Sequence, residues 1–201
     1  MNTREMILQR VRGNQPAPRA LPEIPAFDRP LPSPIEAFAK ALERMGGKVV
    51  TPESSSGLAQ TVAALFPNAG VIVSATPEVA GTRSIAAAID APGTLEDVDV
   101  GVVRAAFGVV ETGSVFLSER EYRVNALGFL PQHLVVLLDP RRLVPDLHHA
   151  YRQRGFFEAR YAVLMTGPSA TADIEGVLIR GAQGIRSLTV IACAAPDADA
   201  A

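Results

Sequence analysis

Two polar stretches carry residues whose types and spacing suit chemistry. The first, TGPSATADIE at residues 166–175, separates an apolar run, RYAVLM, from GVLIRGA. Gly167 allows unusual backbone angles. Ser169 or Thr171 can cap a following helix, and the sequence does not decide between them. Asp173 and Glu175 then fall near the first turn, where the helix dipole favours negative charge. Exposed N–H groups at a helix start also attract anions. Two acidic side chains oppose one, however, and GPSAT lacks the GxxxxGK frame of a P-loop. A cap fits, and so does a site for a neutral polar ligand, a cation or a shielded carboxylate. Two residues apart, Asp173 and Glu175 point to different sides of a helix, so at most one faces a given pocket.

The second stretch is GVVETGSVFLS, residues 108–118. Glu111 is a lone acid between apolar strands, followed by Thr112 and Gly113. A carboxylate there must be hydrogen-bonded, paired or protonated. It reads either as a turn residue bonded to backbone N–H groups or as a catalytic or ligand-holding acid. Ligand sites in open α/β sheets lie beyond the carboxyl ends of strands. Both stretches leave apolar runs, so their loops are expected side by side at that edge. Glu111, Ser169, Thr171 and Asp173 would then line one polar pocket.

Other residues offer less. His148 and His149 are adjacent and diverge on a helix, there is no HExxH, and no metal site is expected. His133 opens a buried strand and reads as structural. Cys193 is the one cysteine and lies in SLTVIACAA, as a buried thiol would. One thiolate cannot hold an iron–sulfur cluster or a zinc ribbon. No GxGxxG follows a strand, so no cofactor is expected. Arginines 141, 142, 152, 154 and 160 form a basic face or a solvated surface. The formal net charge of -2 gives no reason to expect nucleic acid.

These residues need elements to position them. At 48% hydrophobic and 20% charged, the 201 residues suit a globular domain with its own core. The opening MNTREMILQRVRG is too polar for a signal peptide, and no apolar run is long enough to span a bilayer. A cytoplasmic location is expected. Residues 3–12 suit a short amphipathic helix with Met6, Ile7 and Val11 on one side. Residues 14–34 hold seven prolines and read as an extended arm. The division expected is an N-terminal helix and arm over 1–32, an α/β domain over 33–195 and a disordered tail over 196–201.

The domain starts with SPIE: Ser33 as N-cap, Pro34 at the first helical position and Glu36 at the third, a capping box. The helix that follows buries Ile35, Phe38, Ala39 and Leu42. Helices are also predicted at SSSGLAQTVAALF, capped by a serine, and at EVAGTRSIAAAI, VPDLHHAYRQRG and ADIEGVLIRGA. Strands are predicted at KVV, GVIVSA, DVDVGVV, HLVVLLD, RYAVLM and SLTVIAC, and within GVVETGSVFLS, with a turn or helix at 104–107. Short apolar runs alternating with helices predict a single α/β domain with a mostly parallel sheet flanked by helices.

VVETGSVFLS, then RVNALGFLPQHLVVL, then TGPSATADIEGVLIRGAQGI together resemble the LUD-domain family, of the lactate utilization protein C type. The similarity covers residues 98–191. It implies a fold similar to the ribose-5-phosphate isomerase and CoA-transferase group. It also implies a role in oxidising L-lactate to pyruvate beside partner subunits that carry iron–sulfur clusters. The family pattern falls on Glu111, Thr112, Gly113, Arg123, Pro131, Gly167, Pro168, Ser169, Thr171, Asp173 and Glu175. Glu111 and Asp173 are the catalytic candidates. Thr112, Gly113, Arg123, Gly167, Ser169, Thr171, Glu175 and Gln183 are the ligand-binding ones. Gln183 and Ile185 stand where the family has His and Pro, and an amide does not do acid–base work in this range. Three roles are implied: an accessory subunit of a lactate-oxidising complex, an enzyme on a small acid, sugar phosphate or CoA-type substrate, or a regulatory domain binding a small organic acid or other polar ligand.

Overall fold

The computed structural model of the chain describes residues 2–25, 30–52, 57–172 and 176–196. Asp173, Glu175, the serines before the third helix and nearly all of the tail lie outside them. Helix α1 (Thr3–Gly13) opens with a capping box: Asn2 Oδ1 accepts from Glu5 N and Glu5 Oε2 from Asn2 N. It buries none of its residues, and Met6, Ile7 and Val11 face solvent.

Helix α2 (Pro34–Arg44) starts with Pro34 at the first position and Ser33 at the N-cap. The predicted capping box does not form: the Ser33 side chain makes no capping hydrogen bond. Its ψ of 87° is the reason. Where boxes do form, at Asn2 and Ser118, ψ is 164° and -179°, which aims the side chain back at the first turn. Burial holds α2 instead. Phe38, Ala41 and Leu42 are buried, and Ile35 packs partly against the same core.

Strand β1 (Lys48–Val50), α3 (Leu58–Leu65), β2 (Ile72–Ser74) and β3 (Arg83–Ser84) follow. Residues 78–89, predicted helical, hold β3 and a 3-10 turn at Ile85–Ala88. Gly81 explains the difference. It runs so close to β2 that a Cβ there would sit 2.8 Å from Ile72 O. Next come β4 (Val100–Arg104), β5 (Phe107–Val109), β6 (Ser114–Ser118), α4 (Glu119–Tyr122), β7 (His133–Leu138), β8 (Leu143–Val144), α5 (Leu147–Ala150) and α6 (Arg154–Glu158). The single helix predicted over 144–155 is thus two short ones. Strand β9 (Ala162–Met165), β10 (Ala170–Thr171), β11 (Ile179–Arg180) and β12 (Ser187–Ala192) complete the order. β10 and β11 pair antiparallel. Part of the helix predicted over 172–182 is therefore a strand.

The central sheet has six parallel strands in the order β1-β12-β7-β4-β2-β3. Alternate residues of its strands go to opposite faces. Leu134, Val136, Leu138, Leu188 and Val190 share a core with Phe38 and Leu42 of α2. Val135, Leu137, Val102 and Ile191 share another with Leu58 and Val62 of α3. Burial on both faces is why these strands read as mostly apolar runs. Each buried Leu or Val contributes roughly 1.5–3 kcal/mol.

A second sheet, in the order β8-β5-β6-β9, pairs β5 with β6 and β6 with β9 antiparallel. No helix or turn fills 104–107. The chain changes sheets there within two residues: Ala105 N donates to Leu137 O of the central sheet and Ala106 N to Phe116 O of the second. A second change runs from β7 through a 3-10 turn, Pro140–Arg142, into β8. The two sheets diverge between these crossings.

Candidate functional site at the carboxyl edge of the central sheet

A crevice of about 380 Å³ opens where the sheets part. Thr76 and Glu78 follow β2, Arg104 ends β4, Asp139 and Arg142 follow β7, and Ala195 follows β12. The far wall is Arg120, Glu121 and Arg123, from α4 and its end. This is the edge where open parallel sheets hold ligands.

The floor is an ion pair, 81–88% buried on each side. Arg104 Nε donates to Glu78 Oε1 at 2.5 Å, and Nη2 lies against both Glu78 and Cys193 Sγ, the sulfur at 3.3 Å. Thr76 Oγ1 donates to Glu78 Oε2. Burial opposes the charge on Arg104, but its bonds to Glu78 and Cys193 outweigh that and raise its pKa. Burial pushes the Cys193 thiol up, against the pull of Arg104, so it stays protonated. Arg104 Nη1 is buried and has no hydrogen-bond partner among the described residues. Such a donor is costly unless something accepts from it.

The walls differ. Asp139 is almost fully buried and accepts from Arg141 Nε and Nη2, Arg141 N and Ala195 N, so it pins both the β7 turn and the chain after β12. The Arg141 bond, helped by the backbone ones, holds its carboxyl well below the usual carboxylate range. Glu121 is taken up by Ser118, accepting from its N at 2.7 Å and its Oγ at 2.6 Å, a capping box of α4. Arg123 and Arg142 are exposed, and neither side chain has a hydrogen bond or ion pair among the described residues.

Arg123 has a φ of 58°, the one positive value outside glycine among the described residues. Buried Tyr122 and Val124 clamp it on either side, and its N–H donates to Glu119 O. Strain of this kind costs roughly 1–3 kcal/mol and gathers where a side chain must be aimed.

The other motif residues go elsewhere. Glu111 N donates to Pro145 O, and its carboxylate accepts from Leu147 N at 3.3 Å, at the start of α5. It lines a separate cleft with Arg44, Asp146 and His148. Ser169 and Gln183 line a third, mainly with Phe129, Leu130 and Met165, at the amino ends of β7 and β12. The expected shared pocket at the carboxyl edge is therefore not formed by Glu111 and Ser169. The loops do adjoin: Thr112 Oγ1 bonds Ser114 Oγ at 2.7 Å, which in turn bonds Thr166 Oγ1. Their glycines turn to α2. A Cβ on Gly113 (φ 69°) would meet Leu42 N at 2.2 Å, and one on Gly167 (φ 72°) would meet Met45 O at 2.4 Å. Thr171 lies in β10.

The sequence reading reached Arg123, placed Arg142 in a basic face or solvated surface, and missed Glu78, Arg104 and Asp139. A signal existed for two of them: Arg104 and Asp139 are the first charges after buried runs, at the ends of β4 and β7. Among the described residues no cluster of metal-ligating side chains is present, and no helix is long and apolar enough to cross a membrane.

A doubly covered parallel sheet with a charged crevice at its carboxyl edge defines an α/β architecture of the open, mostly parallel kind. The LUD domain family model matches residues 35–193, and the chain belongs to that family. It is 32% identical over 95 residues to the uncharacterized protein YkgG of Escherichia coli (strain K12), covering 44% of this chain and 41% of that protein. It is 26% identical over 149 residues to lactate utilization protein C of Geobacillus kaustophilus (strain HTA426), covering 69% and 59%. The matches thus span less than two thirds of the length of these relatives. A crystal structure of a DUF162 family protein from Deinococcus radiodurans superposes with a TM-score of 0.61 at 16% identity, over 81% of this chain and 99% of that one.

Proposed function

We propose that this protein serves lactate utilization as a subunit of a complex that oxidises L-lactate to pyruvate, working in the cytoplasm and holding a small organic acid in the carboxyl-edge crevice. The relatives named lactate utilization protein C support the role. The observation that carries the site is the pair of guanidiniums, Arg123 and Arg142, without partners among the described residues, over the Nη1 of Arg104, which likewise has none there. A guanidinium fork matches a carboxylate in two parallel hydrogen bonds. Electrons from lactate need an acceptor. One cysteine does not supply the thiolates of an iron–sulfur cluster, so clusters fall to partner subunits. Gly113 and Gly167 act by setting loops on α2, and Arg123 acts on the ligand.

A second reading is a domain that binds its ligand alone. Deleting the gene separates the two: growth on L-lactate fails, while growth on glucose or pyruvate continues, if the first holds. Undiminished growth on L-lactate in a host with no second lactate-oxidising system rejects it.

A further inference from the structure

The crevice does not end at Arg142. A cleft of about 500 Å³ continues from it, and Ala106 and Arg142 line both. The cleft adds Arg141, from the turn after β7, and Arg154, from α6. Along the two, six arginines face three carboxylates, in a chain whose formal net charge is -2. All three carboxylates are engaged. Glu78 holds Arg104, Glu121 caps α4 and Asp139 holds Arg141. Outside the lining, Glu158 meets Arg120 at 3.5 Å and Arg154 at 3.6 Å, both at the surface, so among the described residues the unmatched charge along the groove is that of Arg123 and Arg142. Arg104 Nη1 is buried at one end with nothing accepting from it. Arg142, at the junction, has no hydrogen bond or ion pair among the described residues. At the other end Arg154 is 93% exposed and meets Glu158 at 3.6 Å, a surface contact worth little.

We propose that crevice and cleft form one groove for a small dianion in the sense of one molecule with two anionic groups, carboxylate or phosphate. One group sits over Arg104 and Arg123 at the sheet edge, and the other lies beyond Arg142 towards Arg154. This rests on the reading of the crevice as an organic-acid site and goes past it. L-lactate carries one carboxylate and can occupy only one side of Arg142. Arginine has donors and no acceptor, so each guanidinium along the groove is satisfied only by another acceptor group. A cleft lined by one sign of charge also concentrates its counter-ion.

The test is calorimetric titration of the full chain with L-lactate, L-malate, 3-phosphoglycerate and pyrophosphate, at low and at physiological salt. At least one dianion is expected to bind tenfold or more tighter than L-lactate, and more weakly as salt rises. Preference for L-malate assigns a dicarboxylate, and preference for the other two assigns a phosphate. Arg142→Ala should weaken the dianion at least tenfold, and Arg123→Ala should weaken dianion and lactate alike. Arg160→Ala, an exposed arginine outside the groove, should change neither. Melting curves check that each variant is folded. L-lactate binding as tightly as every dianion overturns the proposal. So does failure of every dianion to bind, or equal losses in the Arg142 and Arg160 variants. Failure of the lactate role is read separately, by growth on L-lactate.

Discussion

At the end of α2, backbone meets backbone: Gly113 and Gly167, both at positive φ, lie where any Cβ would enter the last turns of the helix. At the carboxyl edge of the central sheet, side chain meets side chain, with Glu78, Arg104 and Cys193 on the floor and, above them, Arg123 and Arg142, unpaired among the described residues. The first region is a packed joint with no group left over. The second keeps donors that the chain does not use. The difference separates residues that fix the fold from residues proposed to meet a ligand, although Gly113, Gly167 and Arg123 all fall in the motifs through which the sequence resembles the family.

The largest effect that could break this comparison is at the joint. Gly113→Ala should cost about 4 kcal/mol or more, because strain at φ 69° adds to a clash with helix backbone that cannot yield. Gly167→Ala should cost about 3 kcal/mol by the same mechanism. Urea unfolding measures both, and a loss below about 1 kcal/mol would show that the joint is not tight.

Asp139 belongs to the crevice wall but does structural work, and Asp139→Asn should cost about 2–3 kcal/mol at neutral pH. The sign follows from its lowered pKa. Its contribution is present above the unfolded carboxylate value of roughly 3.9 and is lost as pH falls below it. The gap between wild type and variant should therefore close below about pH 4. A gap that stays constant from pH 7 to pH 3 would mean the charge plays no part.

Caps give a smaller, sharper contrast. Ser118→Ala should cost about 1 kcal/mol, since Ser118 forms a capping box beside the crevice. Ser33→Ala should cost under about 0.5 kcal/mol, since its side chain caps nothing. Equal losses in thermal melts would contradict the cap geometry.

Much of the architecture was legible because central strands buried on both faces leave a plain trace: VGVVR, HLVVLL and SLTVIA are mostly apolar, with polar residues chiefly at their ends. The helix α2 was legible from Pro34 and its buried face. Its capping box was not, because sequence gives the residue types and not ψ at Ser33. The second sheet was hidden because ETGS at 111–114 fits a turn between strands of either sheet, and the partner β9 lies some fifty residues away. Arg123 stood out through the family pattern. Arg142 stood out only as one of several surface arginines, and Glu78 and Asp139 not at all, because each is ordinary in its own neighbourhood and gains meaning only where four strand ends converge.

Arg123→Gly tests the central claim most directly. Glycine adopts positive φ freely, so the change removes the strain at φ 58° together with the guanidinium. The variant should be as stable as wild type or up to about 1 kcal/mol more stable, yet fail to restore growth on L-lactate to a deletion strain. Restored growth would show that the crevice is not the working site. A variant that loses stability and growth together would show that Arg123 holds the fold and not the ligand.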